Sequence, residues 1–261
     1  MNPQIIAVAN QKGGVGKTTT AVNLSALLGA MGQRVLMIDL DPQGNTTSGL
    51  GMEVDDKSIY EVIMGRMKLT DVMEETEFKN LSIAGSDVRL ANAELELVEV
   101  EKREYRLKTA VQSVQQDFDF IFIDCPPSLG LLTINALGAA DSVLIPIQCE
   151  YYALEGVASL MNTISRVKKT INPHLEIEGV LLTMLDGRTN LGLQVVDEVK
   201  KHFKKQVYAT VIPRSVRLGE APSHGEPIHV YDKRSAGCVA YVNLAKEVLK
   251  RNNIKVKEFK L

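Results

Sequence analysis

The sequence predicts an α/β fold: a doubly wound, mostly parallel sheet flanked by helices, as a single domain over residues 1–261. Three observations predict it. Apolar runs of strand length recur at 4–9, 34–39, 119–124, 142–147 and 178–185. Most are continuous rather than alternating, as in strands covered on both faces. Helical patterns of 3.6-residue period occupy 18–31, 151–170, 190–203 and 234–251, so strand and helix succeed each other as right-handed crossovers.

The first run, 4-QIIAVA-9, leads through a polar, glycine-rich stretch to a helix starting at Thr18, with Ala21, Leu24, Leu27 and Leu28 on one face. The second, 34-RVLMID-39, ends in a carboxylate. Residues 51–117 are the least regular, with short helical patterns, one strand at 81-LSIAG-85 and a mixed-charge helix around 99–116. The runs 119-DFIFID-124, 142-SVLIPI-147 and 178-EGVLLTML-185 complete the sheet. In such sheets ligands sit beyond the carboxyl ends of the strands. Asn10 to Lys17, Asp39 to Asn45, Asp124 to Ser128, Gln148 to Glu150 and Asp186 to Asn190 are therefore expected along one rim.

Composition narrows the function. The absence of tryptophan disfavours stacking on nucleic-acid bases, and a net charge of −2 disfavours wholesale polyanion binding while permitting a local basic patch. Cys125, Cys149 and Cys238 are scattered, which suits buried thiols in a reducing cytosol rather than a disulfide or metal framework. Residues 1–30 form no signal peptide, and no run reaches the roughly 20 apolar residues of a membrane span. A cytoplasmic protein is expected.

The stretch 10-NQKGGVGKTTT-20 holds the chemistry. Gly16, Lys17 and Thr18 complete a G-x-x-x-x-G-K-[ST] phosphate loop, although Gln11 stands at its first glycine. Gly13, Gly14 and Gly16 let the main chain approach a phosphate closely, and their N–H groups with the following helix form an anion nest. Lys17 is expected to reach the β- and γ-phosphates and Thr18 to ligate Mg²⁺. Asp124 stands where a Walker-B aspartate belongs. Asp39 and Asp41, two apart on an extended chain, are expected to face the rim together. Asp41 opens the turn-prone 41-DPQGN-45 and is the candidate for positioning or deprotonating the attacking water. Lys12 is a surplus cation that cannot easily fold back to the same phosphates.

The set K-G-G-V-G-K-T-T, D-x-D-P-Q-G-N and I-D-C-P-P-S resembles the deviant Walker-A P-loop NTPases that include ParA, Soj and MinD. With 127-PSLGLLTINAL-137, 148-QCEYYALEG-156, 181-LLTMLDGRTN-190 and 212-IPRSVRL-218, the chain resembles the Soj-type chromosome-partitioning ATPases throughout. The resemblance implies a nucleotide site built from Lys12, Gly13, Gly14, Val15, Gly16, Lys17, Thr18, Thr19, Asp41 and Pro213. Lys12 matches a lysine that reaches the partner's nucleotide across an ATP-sandwiched homodimer. Lys17 and Thr18 match the phosphate lysine and Mg²⁺ ligand, with Thr19 by the α-phosphate. Asp41 matches the catalytic aspartate, Asp124 the Walker-B aspartate on the metal, and Pro213 the adenine wall. Arg188 and Arg217 match arginines that hold double-stranded DNA without sequence preference. The implied partners are a second copy, DNA and a ParB-type centromere-binding protein, and the implied location is on the nucleoid.

Two departures bear on DNA. The segment 217-RLGEAPSHGEP-227 carries Gly219 and Glu226 where the family commonly has serine and lysine, which implies weaker binding. The chain begins almost at its first strand, so an N-terminal operator-reading extension is not expected. The runner-up is a MinD-like membrane switch, but Val242, Leu244, Ala245, Val248 and Leu249 fit packing on the sheet better than insertion in a bilayer. Electron transfer on a cluster is rejected for want of cluster cysteines; the competing enzyme reading, a metabolic P-loop enzyme that phosphorylates or ligates a small substrate, requires a substrate pocket near 127–150, where no further acid–base residues stand.

Overall fold

The computed structural model describes residues 3–150, 155–188, 190–255 and 259. Eight strands form one sheet in the order β3-β4-β2-β5-β1-β6-β7-β8. They are β1 (Gln4–Val8), β2 (Val35–Asp39), β3 (Met73–Glu75), β4 (Leu81–Ala84), β5 (Phe120–Asp124), β6 (Ser142–Gln148), β7 (Glu176–Leu185) and β8 (Val207–Pro213). All neighbours pair in parallel except β3 with β4.

Both faces of the sheet are covered, which explains the unbroken apolar runs. On β1, Ile5 and Ala7 enter one core and Ile6 and Val8 the other; on β5, Ile121 and Ile123 oppose Phe120 and Phe122. The first core is roofed by α3 (Ile59–Ile63), α4 (Leu90–Glu96), α5 (Arg106–Gln112), α6 (Leu131–Ala139), α7 (Glu155–Thr170) and α8 (Asn190–Phe203). The second is roofed by α1 (Lys17–Ala30) and α11 (Ala236–Arg251). The short helices α2 (Asn45–Gly49), α9 (Val216–Glu220) and α10 (Ile228–Tyr231) lie in connecting segments.

Several sequence expectations change. Helix α1 is buried on nearly every side from Thr20 to Gly29, not on one face, because α11 packs over it; Thr20 and Tyr241 share a buried hydroxyl hydrogen bond of 3.1 Å. The helix expected around 99–116 is broken into a 3-10 turn (Arg103–Tyr105), the short α5 and a second 3-10 turn (Gln115–Asp117). Strands β3 and β8 and helix α6 were not anticipated. Helix α6 lacks an amphipathic signal because Leu132, Thr133 and Asn135 to Ala139 are all buried. Strand β8 lies at the sheet edge, where Glu247 of α11 accepts the backbone N–H groups of Ala209 and Thr210 and so blunts the edge.

The apolar face of α11 is used internally, as expected: Val242, Leu244, Ala245, Val248 and Leu249 are buried against α1 and the sheet. No helix among the described residues is long and apolar enough to cross a membrane. Residues 151–154 and Thr189, which fall in segments quoted above, lie outside the described residues.

Candidate nucleotide site

Parallel pairing aligns the strand ends that carry the polar loops. Asp124 sits in register with Val8 on one side and Asp39 on the other, and Gln148 with Thr183. The phosphate loop follows β1 and is pinned twice. Asn10, buried, donates from Nδ2 to the Pro146 carbonyl (2.7 Å) and accepts the Lys12 N–H (3.0 Å). Thr183 of β7 donates to the Val15 carbonyl (2.8 Å). Gly14 and Gly16 take the left-handed backbone (φ 71 and 88) that a side chain would oppose. Gly16 is the N-cap of α1 and brings no side-chain cap, so the first N–H groups of the helix face the loop's concavity.

Lys17 is the first residue of α1, and its Nζ donates to the Lys12 carbonyl (3.2 Å). Burial lowers its pKa, against the pull of Asp124, Cys125 and Asp41. A groove of about 360 Å³ opens above it, lined by Gly13, Gly14, Gly16, Thr18, Thr19 and Asp41 among others. Lys12 does not line it, and Val15 is buried beneath. Beside the groove, and sharing Gly16, Thr19 and Met184 with it, lies a cavity of about 240 Å³ walled by Ile212, Pro213, Leu218 and Tyr241. Met184 holds a left-handed backbone (φ 52) where the two meet, a conformation that costs a side-chain-bearing residue about 1–2 kcal/mol. A polar groove against an apolar slot is the shape of a nucleotide.

The carboxylates divide their work in a way the sequence did not reveal. Asp39 does not face the rim. It is fully buried and accepts the Thr47 N–H (2.9 Å), the Thr47 hydroxyl (2.7 Å) and the Asp41 N–H (3.1 Å), so it ties down the loop that presents Asp41. Burial above all pushes its pKa up to about 6. Asp41 lines the groove, and its carboxylate accepts only the Gln43 N–H (3.0 Å) among described hydrogen bonds. Asp124 is fully buried; its Oδ2 accepts the hydroxyls of Thr18 (2.7 Å) and Thr46 (2.8 Å), while its Oδ1 has no partner among the described residues. Burial, with Asp39 nearby, pushes its pKa up to about 7 despite those donors and Lys17. A buried carboxylate with an idle oxygen beside a threonine hydroxyl has the donor set of a hard divalent cation.

The arginines stand at the edge of the same rim. Arg188 follows β7 and pairs with Asp186, through Nε (2.9 Å) and Nη2 (2.8 Å). Arg214 follows β8 and pairs with Glu150 (2.9 Å); Arg217, in α9, pairs with Glu220 (2.9 Å) and Asp232 (3.5 Å). All three are more than half exposed. The three cysteines are free and buried.

Residues 3–177 match the family described as AAA domain. Over 247 residues, 94% of this chain and 98% of the relative, the sequence is 59% identical to the sporulation initiation inhibitor protein Soj of Bacillus subtilis. It is 51% identical over 254 residues to the chromosome partitioning protein ParA of Myxococcus xanthus, covering 97% and 90% of the two chains. The chain belongs to the ParA/Soj family of partitioning ATPases. Its fold matches a solved structure titled cobyrinic acid a,c-diamide synthase from Mycobacterium smegmatis with bound ATP analog and magnesium: TM-score 0.84, 37% identity, 99% of this chain and 100% of that one. In this ParA/Soj ATPase, Thr46 and Met184 are the site residues that sequence reading passed over. Thr46 gave only a weak signal, a hydroxyl directly after the turn-prone 41-DPQGN-45; its role depends on Asp124, 78 residues away.

Proposed function

We propose that this partitioning ATPase binds ATP and Mg²⁺ at the groove, closes as a nucleotide-sandwiched homodimer, holds DNA without sequence preference in that state, and releases it on hydrolysis. The observation that carries the reading is the groove itself: Lys17, the α1 N-terminus and Thr18 converge on one side, and Asp41 on the other. Lys17 and the loop N–H groups hold the β- and γ-phosphates, Thr19 lies by the α-phosphate, and Pro213 walls the apolar slot for adenine. Thr18 and Asp124 would hold Mg²⁺, which when bound neutralises charge on the phosphate oxygens. Asp41 orients the attacking water. Lys12, half-exposed and outside the groove, serves the nucleotide of the second copy. A ParB-type protein is the stimulating partner that the family implies.

Thr46 joins the Asp41 loop to Asp124, so it reports whether the metal is held as proposed. Thr46→Val should weaken the Mg²⁺ dependence of nucleotide binding by about 10- to 100-fold, the usual cost of losing a partner behind a metal ligand. A titration of Mg²⁺ at fixed ADP measures it, and an unchanged midpoint removes Thr46 from the metal site.

For DNA, the ion pairs of Arg188 and Arg217 are no obstacle. Exposed pairs are worth about 0–1 kcal/mol, so a phosphate replaces the carboxylate at little cost. Two copies double the patch and raise affinity through avidity. The testing experiment is a DNA titration with ATP, with ADP and without nucleotide, repeated over liposomes. Retention should require ATP, fall steeply with salt and vanish in the double variant Arg188→Glu, Arg217→Glu, which keeps its ATP-bound dimer. Retention unchanged by the double variant puts the DNA face elsewhere; liposome binding instead favours the MinD-like switch. DNA binding in no nucleotide state favours a metabolic enzyme acting on a small substrate, a different use of one fold.

A further inference from the structure

A second cavity, of about 530 Å³, lies between the α3–β3 connection and α5, on the helical layer over the first core and built of none of the nucleotide-site residues. Its walls are apolar at Val62, Met67, Leu69 and Ala110, and cationic at Lys68, Lys102 and Arg106. Among the described residues none of these three cations is in an ion pair, a state they share with most of the lysines and with Arg103, Arg166 and Arg234. The Arg106 Nε is buried and makes no hydrogen bond among the described residues, a costly state for a guanidinium unless something else meets it. The chain also makes room for this side chain. Gly65 has a left-handed backbone (φ 74), and a Cβ there would lie 2.7 Å from Arg106 Nη1.

We propose that this cavity binds a small organic phosphate monoester. Three cations against Glu101, the one acid in the lining, leave two positive charges, which match a phosphate monoester of about −1.5 to −2 near neutral pH. Arg106 offers the group a planar fork of donors. The volume falls within the roughly 300–1,000 Å³ of small-molecule sites and exceeds what a bare phosphate fills, so the apolar wall takes the organic body.

The test uses the full chain with ¹³C-labelled methionine methyls. Met67 lines this cavity and Met184 the nucleotide site, so one spectrum reads both. Phenyl phosphate should shift Met67 saturably, at about millimolar concentration or below, whether or not ADP and Mg²⁺ are present. Inorganic phosphate should bind more weakly, and phenol should not compete. Arg106→Gln should weaken the Met67 response roughly tenfold or more, and Lys102→Gln, at an exposed position that spares the fold, should weaken it several-fold. The proposal fails if phenyl phosphate moves only Met184, if phenol does as well as phenyl phosphate, or if neither substitution changes the Met67 titration.

Discussion

Asp41→Ala is expected to bind ATP as tightly as the parent and to hydrolyse it about 10²–10⁴-fold more slowly, the usual worth of a group that handles the reacting water. Asp41 lines the groove, yet the one described hydrogen bond of its carboxylate comes from Gln43 in its own turn, so removing the carboxylate leaves the fold's anchors in place. Those anchors belong to Asp39, which holds Thr47 and the Asp41 N–H. A protein arrested before hydrolysis should accumulate as an ATP-bound dimer on DNA. Steady-state phosphate release, nucleotide affinity and DNA retention measured on one preparation check all three. Rapid turnover in this variant would remove Asp41 from its role, and lost ATP affinity would make it a binding residue.

Lys12→Ala separates the two lysines of the loop. Lys17 is buried at the head of α1, within reach of the groove; Lys12 is half-exposed and outside it. Lys12→Ala should therefore retain nucleotide while losing dimerisation or hydrolysis, with the rate falling by as much as about 10³–10⁵ if Lys12 acts like an arginine finger. Light scattering with ATP and single-turnover hydrolysis give the two readouts. Mixing Lys12→Ala with Asp41→Ala protein supplies a further check: a lysine acting across the interface restores turnover at one of the two sites of the mixed dimer. A Lys12→Ala protein that forms a fully active dimer refutes action in trans.

Much of this was legible locally. The strands β1, β2, β4, β5, β6 and β7 announced themselves because burial on both faces demands continuous apolar runs. The phosphate loop was legible because its glycines and Lys17 lie within one turn of chain. Helix α6 and strand β8 were not, since one is buried nearly all round and the other sits half-wet at an edge, and neither keeps a clean period. The reading of Asp39 failed for a different reason. Alternation along an extended chain gives the side on which a residue lies, but β2 ends at Asp39 and the chain turns there, so Asp39 points inward to Thr47 while Asp41 meets the groove.

Six of the sheet's eight strands and the glycine-rich loop could be read from the sequence, because each depends on residues close together in the chain. Tertiary structure alone decided how the polar groups of the site divide the work. Thr18 and Thr46 reach the same oxygen of Asp124 from 106 and 78 residues away, and leave its other oxygen idle. The same packing set Lys68, Lys102 and Arg106 around one cavity, with Glu101 in its lining and no ion pair among them. Such pairings follow from which strands lie side by side, and a one-dimensional pattern carries no term for that.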